Sequence, residues 1–273
     1  MDANFEHAVD SLLIGDVETV VSLVTAMPRL VRARSHHPHQ ATLLHYLAAN
    51  GVEQERQRSP ANAPEIARIL LSHGAHADAL AEMYGGQYTT MSMLVSGVHP
   101  AQAGVQSALV ETLLDFGAAI EGVGSGETPL ITALAFGYRE AAEALAERGA
   151  SVENLVAAAG LGRIALVAQL FPSASAEERH RALALAAQHG QADIVQLLLE
   201  AGEDPNRFNP AGFHGHSTPL HQAVYNGHTE VVHLLVERHA RLDLRDTVYQ
   251  GTPLDWAKHA GNETMIEYLS RLK

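Results

Sequence analysis

The sequence predicts an all-α solenoid, a row of short helix pairs in which each pair packs against the next. Two observations predict this fold. The tripeptide Thr-Pro-Leu begins at Thr128, Thr218 and Thr252, and the last two copies start 34 residues apart. A glycine ends the apolar run that follows each copy. Repeats of this length are typical of stacked modules that bury their apolar faces against their neighbours, so we expect function to lie on a surface.

The clearest repeat spans residues 217–246. Thr218 can cap its first helix, because the hydroxyl can accept a hydrogen bond from an unpaired helix N–H. Pro219 fits the first helical position, where its missing N–H costs nothing. An apolar stripe at helical spacing follows, and Gly227 ends the helix. A second helix with Val and Leu on its buried side completes the pair.

The glycine between the two helices of each pair gives the number of repeats. We place it at eight positions and therefore predict about eight helix pairs with short hairpin loops: Gly15, Gly51, Gly97, Gly137, Gly162, Gly190, Gly227 and Gly261. Together they are expected to form one domain over residues 1–273. Its predicted parts are an N-terminal capping unit (1–40), central repeats (41–250) with an insertion at 52–63 and a truncated unit at 151–174, and a C-terminal capping unit (251–273).

This pattern resembles the ankyrin repeat. That family has a Thr-Pro-Leu-His helix, a Gly-His turn, a second helix rich in Val and Leu, and a hairpin. The words that match are Thr218-Pro219-Leu220-His221, Gly227-His228 and the apolar run that follows. The resemblance implies that His221, and His45 at the same place in an earlier repeat, tie neighbouring repeats together by hydrogen bonds.

The resemblance also implies that partners bind the concave side, formed by the first helices and the loops before them. The two residues before each turn glycine should face it, which places His189, Tyr225 and His259 about 10 Å apart on successive repeats. Aromatic and histidine residues of the loops before Thr218 and Thr252, and the single tryptophan, should join them. The predicted binding groove is Phe136, His189, Phe213, His214, His216, Tyr225, Tyr249, Trp256 and His259.

An alternative interpretation is a small-molecule enzyme, acid–base or metal-assisted, in the groove of repeats six to eight. Its titratable groups would be His189, His214, His216, Tyr225 and Asp246. His214 and His216 also form a possible metal half-site, because alternate side chains of an extended segment point the same way. The sequence has none of the usual nucleotide-binding, nucleophile or zinc-protease motifs, so we expect no cofactor and no metal. We interpret the histidines at 36–39 as a solvated loop.

Composition limits the possible partners. The formal net charge is −13, which disfavours nucleic acid and anionic membrane surfaces. No stretch approaches the ~18 apolar residues of a membrane span, and the start of the chain has no secretory pattern. The absence of cysteine fits a reducing compartment, so we expect a cytoplasmic protein. The leading hypothesis is a non-catalytic scaffold that binds another protein, with a small-molecule ligand as the alternative.

Overall fold

The computed structural model describes residues 2–124 and 126–272. Residues 1, 125 and 273, which the predicted domain includes, lie outside the described residues. The chain separates into two compact units, Met1–Ala150 and Ser151–Lys273. Among the described residues, each unit contains four helix pairs, with turns at the eight glycines that the sequence indicated.

The N-terminal unit combines nine helices with one β-hairpin in the described residues. The helices are α1 Asp2–Ile14, α2 Val17–Ala26, α3 Leu43–Ala48, α4 Ala63–Ser72, α5 Thr90–Leu94, α6 Val98–Gln102, α7 Gln106–Asp115, α8 Pro129–Ala135 and α9 Arg139–Glu147. The antiparallel strands are β1 Leu80–Met83 and β2 Gly86–Thr89, with Leu80 opposite Thr89. Tyr84 and Gly85 join them with positive φ angles of 50° and 78°, which suit a tight two-residue hairpin turn.

The C-terminal unit is helical throughout its regular elements. Its helices are α10 Leu155–Gly160, α11 Ile164–Leu170, α12 Ala176–Gln188, α13 Ala192–Glu200, α14 Pro219–Tyr225, α15 Thr229–Glu237, α16 Pro253–His259 and α17 Glu263–Arg271. A turn of 3₁₀ helix, Phe171–Ser173, stands where a full repeat would have its hairpin. Ser175 then opens α12 with a capping box, in which its backbone N–H donates to Glu178 Oε2 at 2.8 Å.

Helices stack in chain order within each unit. In the N-terminal unit the first helices α1, α3, α5 and α8 each contact the next, and so do α2, α4, α7 and α9. In the C-terminal unit the same holds for α10, α12, α14 and α16, and for α11, α13 and α15. Each pair thus covers the apolar side of its neighbour, which confirms the predicted stacking of sequential modules.

Two buried histidines connect successive repeats, as the resemblance implied. His45 Nδ1 lies 2.9 Å from Thr42 Oγ1, and His45 Nε2 lies 3.2 Å from the Tyr88 carbonyl oxygen of the next repeat. His221 repeats this arrangement with Thr218 and with the Gly251 carbonyl, at 2.8 and 3.2 Å. Burial lowers the pKa of His45 to about 4 and also lowers that of His221, so both rings are neutral at pH 7.

The turn histidine of one repeat packs over the turn glycine of the preceding repeat. His228 Nε2 lies 2.9 Å from the Gln188 carbonyl of the preceding repeat, which places the His228 ring over Gly190. A Cβ atom on Gly190 would lie 2.5 Å from His228 Nδ1, and Gly190 has a positive φ of 72°. Glycine is therefore required there by both space and backbone conformation.

Candidate functional site

Five of the predicted groove residues lie together in the C-terminal unit. The His216 ring centroid is 6.0 Å from that of His214, 6.3 Å from Tyr249 and 5.8 Å from Trp256. The Trp256 centroid is also 5.8 Å from that of Tyr225. We call His214, His216, Tyr225, Tyr249 and Trp256 the aromatic cluster. Its members come from α14, α16 and the two loops that precede these helices.

The loop over residues 206–217 positions the two histidines through backbone bonds. The Asn209 N–H donates to the Ser217 carbonyl at 2.8 Å, which closes the loop. The Ser217 N–H and hydroxyl both donate to the His214 carbonyl, at 2.9 and 3.0 Å. His214 has a positive φ of 59°, an uncommon conformation for a residue other than glycine. The Thr247 N–H donates to the His216 carbonyl at 2.9 Å and so joins this loop to the next one.

Asp246 organises the second loop from the inside. Its carboxylate accepts hydrogen bonds from the N–H groups of Val248, Tyr249 and Gly251 at 2.9, 2.6 and 2.8 Å. It also accepts a hydrogen bond from Trp256 Nε1 at 2.9 Å. The side chain of Tyr249 is thereby left on the surface, and the indole of Trp256 is fixed in orientation.

Asp246 is therefore a structural anion in this loop. The residue is 0% exposed. Burial alone would raise its pKa, but the hydrogen bonds from Trp256 and from the three backbone N–H groups outweigh burial and lower the pKa to about 2. A carboxylate with so low a pKa is a poor general base, and both of its oxygens are engaged. The enzyme alternative loses support at this residue.

The predicted groove residues differ in exposure. Tyr225 and Tyr249 are 50% and 77% exposed, His259 is exposed and His189 is half-buried. Phe213 is 3% exposed, and the guanidinium carbon of Arg181 lies 4.5 Å from its ring centroid. The expectation that Phe213 lines the groove is wrong, because its ring packs inside the loop. Phe136 is 52% exposed and belongs to the N-terminal unit.

The rule of two residues before each turn glycine holds only in part. The first residue of the pair is buried in five repeats: Ala49, Val95, Ala135, Gly160 and Gln188. In the last two repeats the first residue of the pair, Tyr225 or His259, reaches the surface.

The histidines at 36–39 are not simply solvated. His37 Nε2 lies 2.7 Å from Glu53 Oε1, and His39 Nε2 lies 3.3 Å from Glu53 Oε2. Burial opposes ionisation of Glu53, but hydrogen bonds from its own backbone and from the Tyr46 hydroxyl, with the nearby histidines, lower its pKa. Sequence reasoning missed Glu53, since it lies in the inserted segment and no local pattern connects it to the histidines.

These three side chains also form a group that could hold a metal ion, within 4.8 Å of one another among the described residues. The tautomer of His39 opposes this use. The Ala41 N–H donates to His39 Nδ1 at 3.0 Å, so a neutral His39 carries its proton on Nε2, the atom that faces Glu53. His214 and His216, the predicted half-site, have rings inclined at 77°. In the described residues they do not form a group of three potential ligands with another His, Asp or Glu side chain.

The enzyme alternative also requires a sheltered cavity beside His189. The cleft next to this residue in the chain has a volume of about 260 Å³. Its lining comes from the starts of the second helices, including Gly162, Gln191 and Glu230, and not from the aromatic cluster. The cluster and this cleft are therefore separate features of the C-terminal unit.

Comparisons with known proteins identify the fold family. Residues 183–272 match the family model described as ankyrin repeats in three copies. The chain is 31% identical to human (Homo sapiens) cyclin-dependent kinase 4 inhibitor B over 136 residues, which are 48% of this chain and 95% of that protein. The chain belongs to the ankyrin repeat family. Members of this family serve as protein-interaction scaffolds.

A second relative and a solved structure were also found to be similar to the chain. The ankyrin-repeat chain is 37% identical over 98 residues to the mouse (Mus musculus) ankyrin repeat and SAM domain-containing protein 6, covering 36% of this chain and 11% of that protein. The chain thus spans about a tenth of the length of the first curated relatives it matches. The crystal structure of the human ASB11 ankyrin repeat domain is 22% identical, with 85% of this chain and 98% of that chain covered and a TM-score of 0.39.

The helices of residues 2–124 and 126–272 are too short or too polar to cross a bilayer.

Proposed function

We propose that this ankyrin-repeat chain binds a protein partner through the exposed side of the aromatic cluster, with His189 and His259 at its borders. The observation that supports the proposal most is the convergence of five predicted side chains from two loops and two helices. Tyrosine and tryptophan are over-represented among residues that dominate binding energy, because they offer large contact area at low entropic cost.

The cluster is also fixed before any partner arrives. Trp256 is held by its bond to Asp246, and Tyr249 follows a backbone turn that the same carboxylate closes. Its neighbour His216 is joined to the second loop through the backbone of Thr247. A surface already in its bound conformation loses less entropy on association, which favours affinity.

A small-molecule enzyme remains the alternative function, with His189, His214, His216 and Tyr225 as the groups to test. The properties of Asp246 and the absence of His189 from the neighbouring cleft give it less support than the binding surface has. The absence of cysteine in the sequence favours a reducing compartment, and we propose the cytoplasm as its location.

The test compares a cluster variant with a matched variant of the other unit. Tyr225→Ala with Tyr249→Ala removes two exposed rings from the cluster, and Tyr84→Ala with Phe116→Ala removes two exposed rings from the N-terminal unit. Trp256 is left in place, because its removal would also break the loop held by Asp246. Proteins captured by the wild type from source-cell extract are identified, purified and titrated against all three chains by calorimetry.

We expect the cluster variant to lose at least about 30-fold in affinity for a captured partner, the factor that corresponds to two interface residues whose truncation costs about 1 kcal/mol each. The matched variant and the melting temperature should change little. A partner that binds the cluster variant as tightly as the wild type would contradict the proposal, and one lost only by the matched variant would move the interface to the N-terminal unit.

A further inference from the structure

A buried negative charge lies beside the aromatic cluster. The Asp246 carboxylate is 0% exposed, and its low pKa keeps it ionised at neutral pH. All four of its hydrogen-bond donors are uncharged, three backbone N–H groups and the indole N–H of Trp256. No Lys or Arg in the part of the chain that the structure describes forms an ion pair with it. The full charge is thus partly solvated by dipoles but not cancelled, which is uncommon for a buried carboxylate.

Three cations near Asp246 in the sequence are engaged with other groups. Arg245 donates to the Gln250 carbonyl at 2.6 Å. Lys258 Nζ lies 3.8 Å from Asp255 Oδ1, and Lys258 follows Trp256 by two helical positions, about 200° around the helix axis. Arg241 pairs with Asp243 at 2.8 Å. Each of these side chains therefore already has a partner away from the Asp246 carboxylate.

The rings of the cluster also favour a cation. Tyr225 stands at 78° to the Trp256 indole, His216 is tilted at 33° to it, and His221 stands at 69°, so the indole has three ring neighbours. Aromatic faces carry negative electrostatic potential and attract ammonium and guanidinium groups, tryptophan most strongly. The hydrogen bond from the indole N–H to an ionised carboxylate polarises the indole further in the same direction.

We propose that this surface accepts a basic side chain, an arginine or lysine presented by a peptide segment of the partner, against the Trp256 and Tyr225 rings next to Asp246. The inference rests on the proposed function and adds the chemistry of the partner. The occupant is a basic segment because the site combines half-exposed aromatic rings with a buried anion that has no cationic partner in the described residues, and because the chain's net charge of −13 attracts basic partners.

The single tryptophan gives a direct readout. The probes are three: the acetylated, amidated peptide Ala-Arg-Arg-Ala, the same peptide with citrulline in place of both arginines, and N-acetyl-arginine amide alone. Citrulline keeps the size and planarity of arginine and removes its charge. Each probe is titrated into the full chain while Trp256 emission is followed, at low and at 0.5 M NaCl.

We expect saturable quenching or shift by the arginine peptide, at least ten-fold weaker binding of the citrulline peptide, and weakening by salt. Tyr225→Leu, which keeps apolar bulk at a half-exposed position but removes the ring, should weaken the arginine peptide at least five-fold. Tyr84→Leu, a matched loss of an exposed tyrosine ring in the N-terminal unit, should leave binding unchanged.

Equal binding of the arginine and citrulline peptides, or no binding of either, would overturn the cationic site. N-acetyl-arginine amide binding as tightly as the peptide would also overturn it, in favour of a site for small free cations. These failures are distinct from failure of the proposed function. If a captured protein still depends on Tyr225 and Tyr249, the cluster binds a partner of other chemistry.

Discussion

The indole nitrogen of Trp256 lies 2.9 Å from Oδ2 of the buried Asp246 carboxylate, and this contact joins helix α16 to the loop before it. The same oxygen accepts from the Gly251 N–H, while Oδ1 accepts from Val248 and Tyr249. One side chain therefore decides both the course of the loop and the orientation of the indole in the aromatic cluster.

The Asp246→Asn substitution should destabilise the C-terminal unit by about 2–6 kcal/mol. An amide has one acceptor oxygen, so its NH₂ group must face two of the four N–H donors and leave them unpaired, at about 1–3 kcal/mol each. Urea unfolding followed by Trp256 fluorescence measures the change.

The matched control is Asp243→Asn, an exposed carboxylate earlier in the same loop that pairs with Arg241. Its unfolding midpoint should stay at the wild-type value. If both variants unfold at the same urea concentration, the Asp246 bonds do not hold the loop.

The Gly251→Ala substitution should crowd the contact between Trp256 and Asp246. We expect it to destabilise the C-terminal unit by about 1 kcal/mol and to change the Trp256 emission spectrum. A Cβ atom there would lie 3.1 Å from Trp256 Cδ1 and 3.2 Å from Asp246 Oδ2. Gly126→Ala is the control, since no atom of the described residues beyond its chain neighbours lies within 4 Å of its Cβ position. Unfolding curves and emission spectra that match the wild type in Gly251→Ala would show that the loop adjusts without cost.

Stability of the N-terminal unit should fall as the pH falls from 6.5 towards 4, in part because of His45. Its pKa is about 4 in the folded chain and 6.5 in a free side chain. Between these values the unfolded chain binds more protons, so stability is fully present above 6.5 and is lost as the pH falls. The difference corresponds to about 3 kcal/mol.

The comparison for this effect is His45→Gln, which keeps a side chain able to bond the Thr42 N–H but removes the titration. Its unfolding free energy, from urea curves read by circular dichroism, should approach that of the wild type as the pH drops. Glu53 and His39 are present in both the wild type and His45→Gln, so their contributions cancel in the difference between the two unfolding free energies. A constant difference between pH 7.5 and 4.5 would rule out this role for His45.

Arg56 should hold the inserted segment 52–63 against the first helix. Its guanidinium lies 2.6 Å from Glu6, 3.3 Å from Asp10 and 3.3 Å from Glu53. Arg56→Met should cost about 1 kcal/mol and speed hydrogen exchange of the 3₁₀ turn Gln54–Arg56, because three carboxylates are left without their common cation.

Arg58→Met is the control for the insertion, because Arg58 is exposed and forms no ion pair among those of the described residues. Its exchange over residues 54–56 should equal that of the wild type, measured by mass spectrometry at matched pH. If Arg56→Met exchanges at the wild-type rate too, the ion pairs do not order the segment.

Local chemistry explains why the repeats could be predicted. A threonine cap before proline, a helical apolar stripe and a glycine at the turn each act within a few residues. The pattern of Thr218, Pro219 and Gly227 therefore indicates a helix pair wherever the same residue types recur at this spacing. The role of His221 was expected only from the resemblance to the ankyrin repeat. The aromatic cluster contains five of the nine predicted groove residues, which stand on or just before α14 and α16.

The errors concern side chains whose environment is built by distant residues. Phe213 stands in a loop that reads as exposed, yet Arg181 of α12 covers its ring. The histidines at 37 and 39 gained a partner, Glu53, from a segment that follows another helix. Burial of this kind depends on how loops of different repeats fold over one another.

The sequence by itself determined that this chain folds as paired helices, where each pair begins and ends, and which rings can meet near the last two caps. Only the tertiary structure decided which rings reach solvent and that Asp246 is a buried anion beside Trp256. The reason is physical: caps, turns and apolar periodicity act over a few neighbouring residues, whereas exposure and ionisation are set by every atom that surrounds a side chain.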